Sequence, residues 1–371
     1  MNKLALYLAT ALLAACGISP KSTNAPTVQK QDPLMDLVKP QTNAPQIPPS
    51  NEQPFFNQPA NSLATTGYLA NPNVQQFVAY QQQHKGINPA VLNDFFNRAQ
   101  FKSNIIGIMD RPSTSRPWYE FAKGNTGAAK INGGKRFYAA NRHIIDQVAR
   151  EYGVPAEIIV AIIGIETNYG ANMGNIRVAD SLATLAFEYP RRGAYFQQEL
   201  GEFLKLAQEE RRDPFSFTGS FAGAMGMPQF MPSSFRKWAV DYDRNGSRNI
   251  WSSTPDVAAS VANYMKVHGW QTGGKVVVPV SLQITPQLQA IMDEKTALNY
   301  TVGQLRQMGV TPLESVADHE KAILYRLETA PNQYSYFIGL TNFYAIWKYN
   351  NSRMYVTAVR DIANGVGGGR L

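Results

Sequence analysis

Apolar residues recur along most of this chain at intervals of three and four, the spacing of one face of a helix. Phe77–His84, Pro89–Phe101 and Gly134–Tyr152 read as helices, the last with Ile144, Ile145, Val148 and Tyr152 on one side. Further helices are predicted over Ser181–Glu188, Tyr195–Glu210, 232–240, 255–268, Val302–Met308 and Met354–Ala363, with a packed apolar stretch at Phe343–Tyr349. Strand character is confined to one region: Lys275–Leu282 is β-branched and reads as strand, and Lys321–Glu328 is a second candidate strand. The expected fold class is mainly α (α+β), with a small β region at 270–330.

The most hydrophobic of these segments, Val154–Gly170, carries a carboxylate on its apolar stripe. Pro155 suits a first helical turn and Gly170 a stop. Ile159, Ile162, Ile163 and Glu166 then fall at i, i+3, i+4 and i+7, on one face. Glu166 is therefore expected where isoleucines are. A poorly solvated carboxylate resists ionisation, and its raised pKa makes it a candidate general acid near neutral pH. The ordinary alternative is a buried glutamate that pairs with an arginine or caps a loop.

With 371 residues and 44% hydrophobic content, the chain can bury a sizeable core and form two to three units. The net charge of +8 suits an anionic partner such as cell-wall polymer or lipid head groups. No basic block is interleaved with aromatics, so no nucleic-acid partner is expected. The single cysteine, Cys16, ends a short apolar run, Leu13-Ala14-Ala15-Cys16, that follows Lys3. The run is too short to span a bilayer and has the layout of a secretory signal. It resembles a bacterial lipobox, which implies lipidation of Cys16. Gly17 in the next position, by resemblance to enterobacterial lipoproteins, implies the periplasmic face of the outer membrane. Residues 17–66 have a linker composition rich in Pro, Asn, Gln, Ser and Thr. The expected organisation is thus a signal peptide over 1–16, a linker over 17–66, a catalytic region over 67–364 and a loose glycine-rich tail over 365–371.

Three further segments carry candidate chemistry. Tyr189-Pro-Arg191-Arg192 offers two cations, either for a carboxylate of a ligand or of the protein, or as a solvated pair. Gly219–Ser233 combines small residues, which admit close backbone approach, with Ser220, Gln229, Met225, Met227, Phe230 and Met231. Neutral hydrogen-bonding groups beside apolar faces suit a sugar chain. Tyr349, Asn350 and Tyr355 offer the same mix from a distant part of the chain.

Taken in order, Glu166-Thr-Asn-Tyr-Gly170, Tyr-Pro-Arg-Arg, Gly-Ser-Phe-Ala-Gly-Ala-Met-Gly-x-x-Gln-Phe-Met-Pro-Ser-Ser, Ala-Asn-Tyr264 with His268-Gly-Trp270, and Asn-Phe-Tyr with Tyr-Asn-x-Ser resemble the family of membrane-bound lytic murein transglycosylase B. The resemblance covers roughly residues 75–362. It implies a lysozyme-like core with an additional helical domain. It also implies cleavage of the β-1,4 bond between N-acetylmuramic acid and N-acetylglucosamine in peptidoglycan, forming 1,6-anhydromuramoyl ends. In that scheme Glu166 protonates the leaving oxygen, the substrate's acetamido carbonyl stabilises the anomeric carbon, and Glu166 then takes the proton of the C6 hydroxyl. Ser220, Gln229, Tyr264, Tyr349, Asn350 and Tyr355 would line the glycan groove, with Arg191 and Arg192 nearby. Phe121 departs from the pattern, since a tyrosine able to hydrogen-bond sugar is expected there. The expected partners are peptidoglycan glycan strands, an outer-membrane lipid anchor and cell-wall synthesis proteins. A hydrolytic muramidase and a non-catalytic peptidoglycan-binding scaffold are the competing readings.

Asp241, Asp243, Asn245, Ser247 and Asn249 place oxygens at positions 1, 3, 5, 7 and 9 of a loop with Gly246 at position 6, the layout of an EF-hand. Ser252 stands where the closing glutamate belongs, and the family implies a later acid, Asp256. The expected ligands of a structural Ca²⁺ in this EF-hand-like loop (241–256) are Asp241, Asp243, Asn245, Ser247 and Asp256. The chemistry itself needs no cofactor. An Asx-rich turn without metal is the alternative.

Overall fold

The computed structural model describes Leu63, residues 67–110 and residues 116–369. The expected signal peptide, Cys16 and most of the expected linker lie outside the described residues. Leu63, assigned to the linker by composition, is buried in the main core.

The helices begin where side chains can cap them. In α1 (Pro72–Lys85) Asn71 accepts from the amides of Asn73 and Val74, Pro72 opens the first turn, and left-handed Gly86 closes the last. Helix α2 (Pro89–Arg98) starts on Asn88 and ends three residues before the expected Phe101, because Ala99 is extended. Two helices without a clear periodic signal follow, α3 (Ser103–Met109) and α4 (Trp118–Asn125). Helix α5 (Ala128–Tyr152) begins six residues before the expected Gly134 and bends at Asn141, whose amide donates to Phe137 O at 2.8 Å. Helix α6 (Ala156–Thr167) has Pro155 at its N-cap and ends at left-handed Asn168, so the stop precedes Gly170. Strand β1 (Ile176–Arg177), α7 (Val178–Glu188), α8 (Gly193–Glu209) and β2 (Thr218–Gly219) come next, with β1 and β2 antiparallel. Helices α9 (Pro232–Trp238) and α10 (Thr254–Val267) complete this part of the chain.

Helix α6 is buried on every side rather than along one stripe; Glu157 is its one residue that is not buried. It packs against α5, α10 and the terminal helix. A helix hydrophobic all round belongs in the middle of a core.

The β region is a five-stranded antiparallel sheet built from β3 (Val277–Ser281), β4 (Tyr300–Thr301), β5 (Thr311–Pro312), β6 (Lys321–Ala330) and β7 (Gln333–Gly339), in the order β4-β6-β7-β3-β5. It runs past the expected limit of 330, because β7 pairs with β6 through a turn at left-handed Asn332. Ile323, Tyr325 and Leu327 of β6 join the main core, while Ala322 and Leu324 face a second cluster with α11 (Pro286–Asp293) and α12 (Val302–Gln307). That is the two-residue alternation of a strand buried on both faces.

The chain closes with α13 (Thr341–Tyr349) and α14 (Arg353–Gly367). Residues 365–367, expected to be loose, continue α14. A side chain on Gly365 would meet Ile131 at 2.6 Å and one on Gly367 would meet Glu157 at 2.5 Å. These glycines let two helices approach closely.

Candidate active site

Glu166 sits in the last turn of α6 with 8% of its surface exposed. Its Oε1 accepts a hydrogen bond of 2.6 Å from the Tyr355 hydroxyl, which α14 presents from 189 residues away. Among the described residues Oε2 has no hydrogen-bond partner. Burial pushes the Glu166 carboxyl up to about 7; the Tyr355 bond and the Lys130 ammonium act in the opposite direction. An acid with that proton affinity is protonated in a large fraction of molecules at neutral pH, yet gives up its proton readily.

A cavity of about 720 Å³ opens beside it, lined by α4, α5 and the end of α6, including Asn125, Lys130, Phe137, Glu166, Asn168 and Tyr169. The turn after Glu166 is tightly specified. Thr167 Oγ1 donates to Met227 O at 3.1 Å and accepts from Gly170 N at 3.0 Å, joining the helix end to the loop over 219–233.

The predicted binding residues separate into two groups. Tyr355, Tyr349 and Tyr264 form one continuous set of rings. Tyr349 lies parallel to Tyr355 with centroids 6.4 Å apart, and Tyr264 lies 4.7 Å from Tyr349. The hydroxyls of Tyr349 and Tyr264 are committed to the backbone, Tyr349 to Pro228 O at 2.6 Å and Tyr264 to Lys348 O at 2.7 Å. Phe230 packs against both rings, which draws the 219–233 loop to the same place. Within that loop Ser220 Oγ accepts from the amides of Ala222 and Ala224, at 3.3 and 3.1 Å. Gln229 is left-handed, with φ 49°, and its side-chain amide donates to Met173 O and Gly226 O. Asn350 follows α13 in extended conformation.

The arginines are held elsewhere. Arg191 pairs with Asp110 at 2.9 Å in an exposed setting, and the Arg192 guanidinium lies 4.4 Å from the Tyr195 ring centroid. Phe121 is buried against Trp118. Sequence reasoning missed Lys130 and Tyr169, which lie in the cavity, and Glu199. Glu199 is a second buried carboxyl that burial pushes up to about 7, but its oxygens accept from Ser233 N at 2.9 Å and Ser233 Oγ at 2.6 Å. Those bonds anchor the first turn of α9 to α8.

Asp241, Asp243 and Asp256 bring carboxylate oxygens within 4.8 Å of one another. Asp241 accepts from the amides of Asn245 and Gly246, and Asn245 Oδ1 accepts from Ser247 N, so the loop is wound around its own side chains. Gly246 has φ 89°, the sharp turn that position 6 requires. Asp256 is fully buried and accepts from the amides of Tyr242, Asp243 and Asn249. Burial raises its pKa against those bonds. Three convergent carboxylates are a hard, all-oxygen donor set that fits Ca²⁺. The neighbouring Arg248 turns away to Glu209 and Glu210. Asn245 and Ser247 lie in the same turn.

Comparison with known proteins places this geometry. Residues 70–364 match the family model described as the transglycosylase SLT domain. The chain is 36% identical over 365 residues to membrane-bound lytic murein transglycosylase B of Escherichia coli (strain K12), covering 96% of this chain and 94% of that one. The catenated lytic transglycosylase SltB1 of Pseudomonas aeruginosa superposes with a TM-score of 0.76 at 40% identity, over 80% of this chain and 97% of that one. The Escherichia coli lytic transglycosylase Slt35 in complex with calcium gives 0.72 at 37% identity, over 82% and 96%.

Proposed function

This chain belongs to the transglycosylase SLT domain family, and on that premise we propose a lytic transglycosylase that cleaves the β-1,4 bond between N-acetylmuramic acid and N-acetylglucosamine in peptidoglycan and leaves 1,6-anhydromuramoyl ends. The observation that carries the reaction is Glu166, a buried carboxyl raised to about 7, with Oε1 held by Tyr355. The protonated acid gives its proton to the glycosidic oxygen as the C1–O bond breaks. The substrate's acetamido oxygen supports the anomeric carbon. The C6 oxygen then bonds to C1, and its proton returns to Glu166. Atoms balance without water. The tethered C6 hydroxyl outcompetes bulk water through its high effective concentration. A hydrolase of the two-carboxylate kind would need a second free carboxylate; both oxygens of Glu199 are taken up by Ser233.

In this reading Tyr349 and Tyr264 contribute ring faces to the groove, since their hydroxyls are occupied, and Ser220 and Gln229 hold the shape of the 219–233 loop. Asn350 follows Tyr349 directly and would add a polar group to the same wall, whereas Arg191 and Arg192 are engaged with Asp110 and the Tyr195 ring. The chemistry needs no cofactor. Ca²⁺ on Asp241, Asp243 and Asp256, with Asn245 and Ser247, would neutralise clustered charge and stiffen the loop.

Two separate facts bear on location. No described helix is long and apolar enough to cross a membrane, whereas the Escherichia coli relative is membrane-bound by name. A lipid on Cys16 would supply the anchor on the periplasmic face of the outer membrane. Mass spectrometry of the mature N-terminus tests it, and an unmodified cysteine would refute it.

The activity test is product analysis of purified peptidoglycan treated with wild type and Glu166→Gln. Anhydromuropeptides from the wild type alone are expected. Products about 18 mass units heavier, the addition of one water, would identify a muramidase instead. Binding without cleavage by either protein would identify a scaffold.

A further inference from the structure

The cavity beside Glu166 holds a lysine to which nothing above assigns a task. Lys130 lies in the first turn of α5, in a stretch without apolar periodicity. Its ammonium donates to Gly164 O at 2.9 Å and to Asn168 Oδ1 at 3.3 Å. It therefore sits at the C-terminal end of α6, where unpaired carbonyls and the helix dipole favour a cation. Its backbone is gripped as well, because the Tyr169 hydroxyl donates to Lys130 O at 2.7 Å.

That grip depends on an unusual turn. Asn168 and Tyr169 are both left-handed, with φ 51° and 61°, a costly conformation for two successive non-glycine residues. The turn folds the Tyr169 ring back over the helix end, where Gly133, Gly134 and Gly164 make room. A side chain on any of the three would come within 2.7 Å of that ring or its hydroxyl. Three glycines and a strained turn thus fix one lysine at both ends. Among the described residues no carboxylate lies within ion-pairing distance of Lys130. The carboxylate that its charge acts on is Glu166, in the same cavity.

We propose that Lys130 is a positioning residue for the reaction: a fixed cation that stabilises the Glu166 carboxylate as it forms, and so eases transfer of the proton to the glycosidic oxygen. The inference rests on Glu166 being the acid. Lys123 and Arg136 line the same cavity, but the cation whose charge acts on the Glu166 carboxyl is Lys130. Tyr355 of α14 supplies a neutral hydrogen bond. Tyr349 of α13 and Tyr264 of α10 are neutral phenols committed to carbonyls. Thr167, its neighbour on α6, binds the carbonyls of Ile163 and Met227.

The test is the pH dependence of kcat/KM for anhydro-end formation from solubilised peptidoglycan, with thermal melting alongside. Lys130→Gln keeps an amide donor for Gly164 and Asn168 but no charge, and Lys130→Arg keeps the charge. Removing the cation disfavours the carboxylate, so the acid stays protonated to higher pH. In Lys130→Gln the basic limb is expected to move up by about 0.5–1 pH unit, with kcat lowered, and Lys130→Arg to return the limb towards wild type. An unmoved limb in a Gln variant that melts like wild type would overturn the proposal. So would an Arg variant indistinguishable from the Gln variant, which would make the role one of packing. If Lys130→Gln does not fold, the Arg variant decides: a limb displaced from wild type in a folded protein counts against a charge role, and a coincident limb supports it. Failure of the acid reading looks different, because Glu166→Gln would then retain anhydro-end formation.

Discussion

Replacing Glu166 by Gln should stabilise the protein at alkaline pH while it abolishes the chemistry. Burial raises the Glu166 carboxyl from its ordinary 4.5 to about 7. In the unfolded chain the group ionises near its ordinary value, so between these two pH values the folded state holds a proton that the unfolded state has released. The stability associated with that proton is fully present below about pH 4.5 and is lost as pH rises through about 7. At about 1.4 kcal/mol per pH unit, the gap corresponds to roughly 3 kcal/mol of destabilisation in the wild type above neutrality. The Gln variant does not carry it, because the amide is uncharged and still offers an oxygen to Tyr355. Denaturant melts of both proteins at about pH 4.5 and about pH 8.5 measure the difference. The two should agree within about 0.5 kcal/mol at the lower pH. At the higher pH the variant should be more stable by about 2–3 kcal/mol. A stability difference that does not change between the two pH values would refute the claim that Glu166 is buried with a raised proton affinity.

Tyr355→Phe removes the hydrogen bond that favours the ionised acid, so the basic limb of kcat/KM should move to higher pH and kcat should fall about 10- to 100-fold; an unchanged pH profile would count against the Tyr355–Glu166 contact. Millimolar CaCl₂ should raise the melting temperature of metal-free protein, and Asp256→Ala should abolish that response, with calorimetry as the check. Absence of a Ca²⁺-dependent shift in the wild type would leave the loop an Asx turn. Gly164→Ala would place a methyl group 2.5 Å from the Tyr169 hydroxyl, so a loss of about 1–3 kcal/mol is expected from overpacking, together with reduced activity; a neutral result would show that the Tyr169 ring can move aside.

The elements that could be read from the sequence are those whose faces are decided locally. Helices α1, α2, α7, α8 and α10 have caps or apolar periodicity that act over a few residues, and strand β6 carries Ile323, Tyr325 and Leu327 at alternate positions. Strand β7 escaped because its first residues are exposed and polar, and its pairing with β6 is what makes it a strand. The glycines at 365 and 367 looked like slack, yet they lie where α14 needs to approach Ile131 and Glu157. A glycine reads the same whether it frees a chain or admits a neighbour, and the neighbour is invisible in the sequence.

Glu166 stood out because a carboxylate in a run of isoleucines contradicts its surroundings within a single helix. That much the chain by itself determined: a mainly helical protein, an acid in an apolar helix, an Asx-rich loop with an EF-hand layout, and the motif order of its family. The tertiary structure alone decided which groups tune the acid. Tyr355 reaches it from 189 residues away, and Lys130 reaches the end of its helix because a left-handed turn and three glycines bring α5 to the end of α6. It also decided that Tyr349 and Tyr264 spend their hydroxyls on backbone carbonyls and that Arg191 pairs with Asp110. Proton affinities and hydrogen-bond partners depend on distance through space, and distance through space is fixed only when the helices have packed.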